Sequence, residues 1–145
     1  EEVSSTMDGC LLQSQCRLLD TYFAWYVATD EREISLNDTL QLEAKLTPVF
    51  FFTLVWSVGA TCGSAGRRKV SSELWQHIRA QGIDVGGMPK IPAEEDWYDY
   101  LYDMFHDKSG RWLLWASSGP EYSVPAGAAF QSIVVPTAHS LRVMH

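Results

Sequence analysis

The stretch 48-PVFFFTLVWSVGATCGSAGRRK-69 decides between three structures for this chain. Its mostly apolar first half is compatible with a membrane anchor. The glycines ahead of Arg67, Arg68 and Lys69 have the outline of a loop that binds phosphate. The third interpretation is a buried helix, a glycine turn and the basic start of a second helix.

The composition indicates a globular domain with an acidic surface. The chain has 145 residues, of which 46% are hydrophobic, and this length suffices for one folded domain. Its formal net charge is -7. A nucleic-acid partner requires a basic surface, and only residues 67–69 form a basic cluster, so we predict no nucleic-acid partner.

Cysteine and histidine spacing argues against disulfides and metal. Cys10, Cys16 and Cys62 are odd in number and contain no CxxC pair, which predicts reduced thiols in a reducing compartment. The histidines lie far apart and away from these thiols, so we predict no metal site. The chain begins at Glu1 without an initiating methionine or signal peptide, and we expect it to be part of a longer polypeptide.

The first half of the chain shows helical periodicity. A first helix over roughly 11–28 is predicted by apolar residues at steps of three and four, namely Leu12, Cys16, Leu19, Phe23 and Tyr26. Thr47 and Pro48 allow two interpretations: the cap and first position of a new helix, or a kink inside one long helix. The uniformly apolar run 49–60 predicts a helix enclosed by protein. Val70, Leu74 and Ile78 predict a further helix that ends near Gly82.

The second half changes character. Glycines and prolines predict a loop after Gly82, and a hairpin is predicted around Ser109–Gly110, between the aromatic "YDMFHD" and "RWLLWA" segments. The β-branched 130-FQSIVVPT-137 predicts another short strand. Asp99, Asp103 and Asp107 recur every four residues and are interpreted as a helical acidic face rather than a metal site. The predicted fold class is α+β.

Two of the three interpretations of residues 48–69 do not fit the sequence. A membrane span requires about 20 apolar residues, and this run supplies about twelve before the glycines. A phosphate-binding loop requires Gly-Lys-Ser/Thr after a strand, whereas Gly63 and Gly66 are followed by "RRKVSS". The carboxylates 94–96 are interpreted as solvated loop charge, and no serine lies in a GxSxG turn. We therefore predict no membrane anchor and no active site within the chain.

Four ordered segments resemble dynein heavy chains. "KLTPVFFFTLVWSVGATCGSAGRRKV" resembles the lid of the second AAA+ module, and "QSQCRLLD" is similar to the opening helix of that lid. "DYLYDMFHDKSGRWLLW" is similar to the family's "YDY…D…W…W" stretch. "FQSIVVPTAHSLR" is similar to the segment that opens the third module. The sequence "FFFTLVWSVGAT" favours the axonemal branch of the dynein family over the cytoplasmic branch.

The resemblance implies a helical AAA+ lid of about three to four helices followed by short strands or a hairpin. The implied domains are the lid at 8–84, a connector at 85–129 and the start of the third AAA+ module at 130–145. It implies a part of an ATP-driven motor ring that couples nucleotide-dependent motions between AAA+ modules to minus-end-directed microtubule movement. The implied partners are neighbouring modules of the same chain, microtubules and other dynein chains. The implied location is the cytoplasm and cytoskeleton, in the axoneme of a cilium or flagellum.

The resemblance also implies binding residues. Val135, Pro136 and Thr137 match the "VPT" near the adenine of the third module, although they also fit the end of an edge strand. Arg67 or Arg68 could face the nucleotide of the second module, although a solvated surface arginine is the commoner case. ATP or ADP with magnesium is expected in the parent protein, and no cofactor is expected for the isolated chain.

The sequence departs from the family at three places, and one alternative remains open. Ala138–His139 replaces the usual acidic residue after "VPT", which puts nucleotide affinity at the third module in doubt. Gly63–Ala65 replaces an acidic turn, and Val70 replaces an aromatic residue. The alternative is a stand-alone helical adaptor that binds a protein partner through its apolar helix and aromatic second half.

Overall fold

A computed structural model describes residues 7–27, 36–88, 96–105 and 110–118. The helices are α1 (Asp8–Val27), α2 (Leu36–Ser57), α3 (Ser64–Gln81) and the short α4 (Trp115–Ser118). Two 3-10 helices span Gly59–Thr61 and Trp97–Asp99, and two strands, β1 (Tyr100–Asp103) and β2 (Arg111–Leu114), form an antiparallel pair. The predicted α+β class, with helices followed by a hairpin, is confirmed.

Helix α2 runs through Pro48 without a break. Of the two interpretations of Thr47–Pro48, the long helix is therefore correct. An interior proline removes one helical hydrogen bond and crowds the preceding turn. Pro48 is fully buried, and its ring lies under Gly86, where an added Cβ would stand 2.6 Å from Pro48 Cγ. This packing offsets part of the local cost of the proline.

Helix α3 agrees with its predicted bounds. It ends at Gly82, whose left-handed φ of 61° allows its N–H to reach the carbonyls of Ile78 and Arg79. Ile78 is buried, and Leu74 packs against the core as predicted.

The inward face of α1 differs from the predicted stripe. Leu12 is 59% exposed and Cys16 is also exposed, whereas Gln15 is buried. Leu19, Tyr22 and Phe23 pack against the core, and the Tyr22 ring meets Phe52 of α2 edge-on at 5.6 Å. The predicted stripe is therefore confirmed at Leu19 and Phe23 and wrong at Leu12 and Cys16. Gln15 and Tyr22, one position earlier at the same helical spacing, complete the inward face. The side chain of Tyr26 lies outside the described residues.

An aromatic core joins the helices to the hairpin. The ring centres of Phe51 in α2 and Trp97 lie 5.9 Å apart. Trp97 meets Trp112 of β2 edge-on, with 5.6 Å between the ring centres. Trp112 Nε1 donates a hydrogen bond of 2.7 Å to the Val85 carbonyl, which fixes the loop after α3 to the hairpin. The hairpin is therefore part of the same core as the helices.

The predicted helical acidic face at Asp99, Asp103 and Asp107 is wrong. Asp99 ends the second 3-10 helix, and Asp103 lies in β1 opposite Arg111. Burial of Tyr100 and Tyr102 follows a period of two, so the apolar alternation overrides the four-residue spacing of the aspartates. Asp107 lies outside the described residues.

Helix α2 bears on the membrane prediction. Residues Asp38–Thr61 are long and apolar enough to cross a membrane by length and composition alone, so the argument from a short apolar run does not hold. Half of the most apolar window is buried inside the protein, and the core helix of a globular domain passes the same test. The prediction of no membrane anchor now depends on this burial.

Candidate functional site

The turn between α2 and α3 presents the predicted basic cluster. The chain passes through the first 3-10 helix and Cys62 before α3 begins at Ser64. Gly63 at the helix N-cap has no side chain to accept a hydrogen bond from the first turn. Arg67 lies at the fourth position of α3, where its side chain folds back over this turn.

Two contacts immobilise Arg67. Its Nε donates a hydrogen bond of 3.1 Å to the Cys62 carbonyl. Its guanidinium carbon lies 4.9 Å from the centre of the Tyr98 ring, a cation–π distance. A cation near a helix N-terminus opposes the helix dipole, and the carbonyl and the ring compensate for that repulsion. Arg68 and Lys69 are exposed.

Tyr98 is the residue that sequence analysis missed. It is 1% exposed, and its ring also meets Trp56 edge-on at 5.9 Å. Its hydroxyl packs so closely on Gly59 that a Cβ there would overlap the oxygen. The absence of a side chain at Gly59, in "WSVGAT", is what admits the Tyr98 ring. The sequence alone does not pair Tyr98 with Gly59, because the contact between them forms only in the folded chain.

Burial dominates the electrostatics of Tyr98. Desolvation raises the pKa of its hydroxyl well above the usual value, Cys62 raises it further, and the positive Arg67 partly opposes the rise. Its hydroxyl has no hydrogen-bond partner among the described residues. At neutral pH Tyr98 is therefore an uncharged platform for the guanidinium rather than a base.

The site can hold an anion but offers no catalytic chemistry. The bond to Cys62 uses Nε, so the two terminal nitrogens of Arg67 can still donate to a carboxylate or phosphate. Within the described ranges no group of three or more His, Cys, Asp or Glu residues could hold a metal ion. Val135, Pro136 and Thr137 lie outside the described residues, as do Glu94 and Glu95.

The fold and this site define a structural subdomain: a helical unit with an attached hairpin, in which the Arg67 guanidinium is held at the turn before α3. The chain belongs to the family described as "Dynein heavy chain AAA lid domain", which it matches over residues 1–117. The prediction of a dynein AAA+ lid is thereby confirmed, and its assignment to the second module stays a prediction.

The relatives are axonemal and flagellar dynein heavy chains. Dynein axonemal heavy chain 1 of Mus musculus is 23% identical over 100% of this chain, which corresponds to 4% of the relative. Dynein axonemal heavy chain 5 of Mus musculus is 32% identical over 65% of this chain and 2% of its own length. The alpha heavy chain of dynein 1, from the flagellar inner arm I1 complex of Chlamydomonas reinhardtii, is 31% identical over 74% of this chain. The chain thus spans a few per cent of the length of these relatives. No solved structure matches significantly.

Proposed function

We propose that this chain is the lid of the second AAA+ module of a dynein heavy chain, with residues 130–145 beginning the third module. In that setting it couples nucleotide-dependent motions of the motor ring to minus-end-directed microtubule movement. The family match favours this function over a stand-alone helical adaptor. A parent reading frame with a phosphate-binding loop shortly after His145 is expected, and a stop codon there would contradict the proposal.

The observation that carries the proposal is the fixed guanidinium of Arg67 at one end of a rigid body. Arg67 rests on Tyr98, and Tyr98 precedes β1 by two residues. Trp97, the neighbour of Tyr98, packs against both α2 and β2. A force applied to Arg67 by a bound anion would therefore act on helices and hairpin together, as a rigid-body rotation requires.

The anion that suits this arrangement is the phosphate of ATP or ADP with magnesium. A phosphate needs several donors, and the turn before α3 offers the immobilised guanidinium of Arg67. The described residues hold no carboxylate cluster for the metal. Arg67 would therefore hold a phosphate oxygen while the rest of the nucleotide site comes from the large subdomain. The nucleotide, when bound, supplies the free energy that moves the lid, and the isolated chain binds none.

The remaining parts of the proposal are supported by the resemblance to dynein heavy chains and by the names of the relatives. Val135, Pro136 and Thr137 would lie near the adenine of the third module, where Pro136 restricts the backbone. The partners would be neighbouring AAA+ modules, other dynein chains and microtubules. The relatives' names support the axoneme of a cilium or flagellum, within the cytoplasm and cytoskeleton, as the location.

The test uses a dynein heavy chain that contains this segment. Loss of a charge-assisted hydrogen bond in Arg67→Ala should weaken nucleotide binding at the second module by about tenfold or more. Microtubule gliding should slow as a consequence. Arg67→Lys retains the charge but loses the fixed planar geometry, so its affinity should lie between the two.

The matched control is Arg68→Ala, which removes the same charge from the exposed neighbouring position. It should leave nucleotide affinity and gliding velocity close to those of the parent. Equal effects of Arg67→Ala and Arg68→Ala would contradict the assignment of Arg67.

A further inference from the structure

An open cleft of about 690 Å³ lies along the outward face of the hairpin, away from Arg67. Its walls come from α1, both strands and α4. The lining residues used below are Leu101, Asp103, Phe105, Arg111, Leu113 and Ser118.

The floor of the cleft is apolar. Leu101 and Leu113 are register partners, and both point to the side of the sheet opposite the buried Tyr102 and Trp112. Phe105 is 70% exposed at one end of the cleft. A two-stranded sheet is marginally stable when one face is left in water, so this face favours an apolar cover.

The charges of the cleft balance. Asp103 and Arg111 face each other across the two strands and are the charged residues among the described part of the lining. A strongly charged occupant would find no compensating partner. The cleft therefore favours an uncharged, largely apolar segment.

We propose that residues 130–134 of the same chain, Phe-Gln-Ser-Ile-Val, dock in this cleft. The segment 130–137 carries no charge, and sequence analysis predicts a strand for it because of its β-branched residues. Phe130 and Val134 fall on the same face of a strand, and they would supply the apolar cover for Leu101 and Leu113. Pro136 cannot donate to a sheet, which ends the paired stretch before it.

The covalent connection brings the segment to the cleft. Ser118 lines the cleft, so the chain continues from its wall. The connecting residues 119–129 reach at most about 40 Å when extended, several times the roughly 13 Å length of each strand. Gly119, Pro120, Pro125 and Gly127 suit the reversal that is required. A short tether raises the effective concentration to about the millimolar range, which favours this occupant over a second molecule.

Docking would set the position of Val135–Thr137 relative to the hairpin, because they follow the docked residues directly. It does not depend on the proposed motor function. Its test uses no nucleotide, so failure of one proposal is distinguishable from failure of the other.

The experiment measures hydrogen exchange of the amides of residues 130–134 in the 145-residue chain. These amides should exchange at least about tenfold more slowly than in a free peptide of the same sequence, because docking protects them. Val134→Asp should return them to the peptide rate while amides of β1 and β2 exchange as before. Ala138→Asp adds the same charge outside the docked residues and should leave the protection intact.

A second pair of variants changes the cleft instead of the segment. Leu113→Asp should abolish the protection, whereas Leu40→Asp, at a position of α2 that is 57% exposed, should not. If Leu113→Asp does not fold, the Val134→Asp result decides alone. Peptide-like exchange in the parent chain, or protection that survives Val134→Asp, would overturn the proposal. Protection that disappears on dilution would also overturn it, since the occupant would then be another copy.

Discussion

The contact between Gly59 and Tyr98 gives the sharpest test of the structure. Gly59 is buried in the first 3-10 helix, and its φ is not positive, so its backbone accepts alanine. A Cβ at this position would overlap the Tyr98 hydroxyl oxygen and lie 3.2 Å from Cζ of the same ring. Gly59→Ala therefore introduces a steric conflict without backbone strain.

Two opposing contributions set the change that Gly59→Ala makes to the free energy of unfolding. Overpacking a core site costs about 1–3 kcal/mol. Alanine in place of glycine in a helical position contributes about 0.5–1 kcal/mol in the opposite direction. Gly59→Ala should therefore destabilise the parent chain by about 1–2 kcal/mol. In a Tyr98→Phe background the overlapping oxygen is absent, and the same change should alter the free energy of unfolding by less than about 1 kcal/mol.

Tyr98→Phe alone should be tolerated. The hydroxyl it removes is buried without a hydrogen-bond partner among the described residues, so no bond is lost. The favourable contribution of alanine is the same in both backgrounds and cancels in a double-mutant cycle. The coupling free energy between the two substitutions should therefore approach the overpacking cost, about 1–3 kcal/mol.

The assay is urea unfolding of the 145-residue chain, the two single variants and the double variant, followed by tryptophan fluorescence. Gly9→Ala is the control, because nothing lies within 4 Å of a Cβ at Gly9 of α1. It should have the same small effect in both backgrounds. An equal cost of Gly59→Ala with tyrosine or phenylalanine at position 98 would refute the contact between Gly59 and the hydroxyl.

Two further predictions concern the loop after α3 and the buried tyrosines. Gly86 and Gly87 both have a positive φ, of 68° and 70°. A Cβ added at Gly86 would lie 2.6 Å from Pro48 Cγ, whereas nothing lies within 4 Å of a Cβ added at Gly87. In thermal denaturation, Gly86→Ala should therefore destabilise the chain more than Gly87→Ala, by about 1–2 kcal/mol. Equal losses would contradict the packing of this loop on Pro48. Burial raises the pKa of the Tyr22 and Tyr98 hydroxyls above the usual value, so the unfolded chain releases protons near pH 10 that the folded chain keeps. The free energy of unfolding should therefore fall as pH rises above about 10, and a Tyr22→Phe/Tyr98→Phe variant with an unchanged slope would contradict this.

Local patterns accounted for the elements of this fold, and tertiary contacts account for what they missed. Val70, Leu74 and Ile78 predict α3 because one face of that helix alone is apolar. On α1, Leu19 and Phe23 pack against the core as predicted. The contact of Tyr22 with Phe52 places the rest of the inward face at Gln15 rather than at Cys16. No periodicity within α1 contains that information, because the choice depends on the partner helix.

The candidate site divides in the same way. Arg67 or Arg68 was predicted from the family resemblance, within the basic cluster of an acidic chain. The structure distinguishes the two, because Arg67 contacts Cys62 and Tyr98 whereas Arg68 is exposed. Tyr98 was not predicted because its role depends on folding over Arg67 and Gly59, which lie more than thirty residues earlier in the sequence. The domain boundaries and the three residues at 135–137 remain predictions.

Helix α2 shows why composition alone misjudges a core helix. Sequence analysis counted only the apolar residues after Pro48, whereas the helix begins at Leu36 and passes a membrane criterion by length and composition. Its contacts explain the apolar composition differently, because Phe51 packs on Trp97 and Phe52 on both Tyr22 and Trp112. The buried Ser57 hydroxyl donates to the Thr53 carbonyl, 2.6 Å away, so this polar group is satisfied within the helix. Helix α2 contacts α1, the second 3-10 helix and β2, so it needs apolar residues on several faces. This requirement accounts for the uniformly apolar run. A prediction that looks for one apolar stripe cannot say which side of such a helix faces which neighbour.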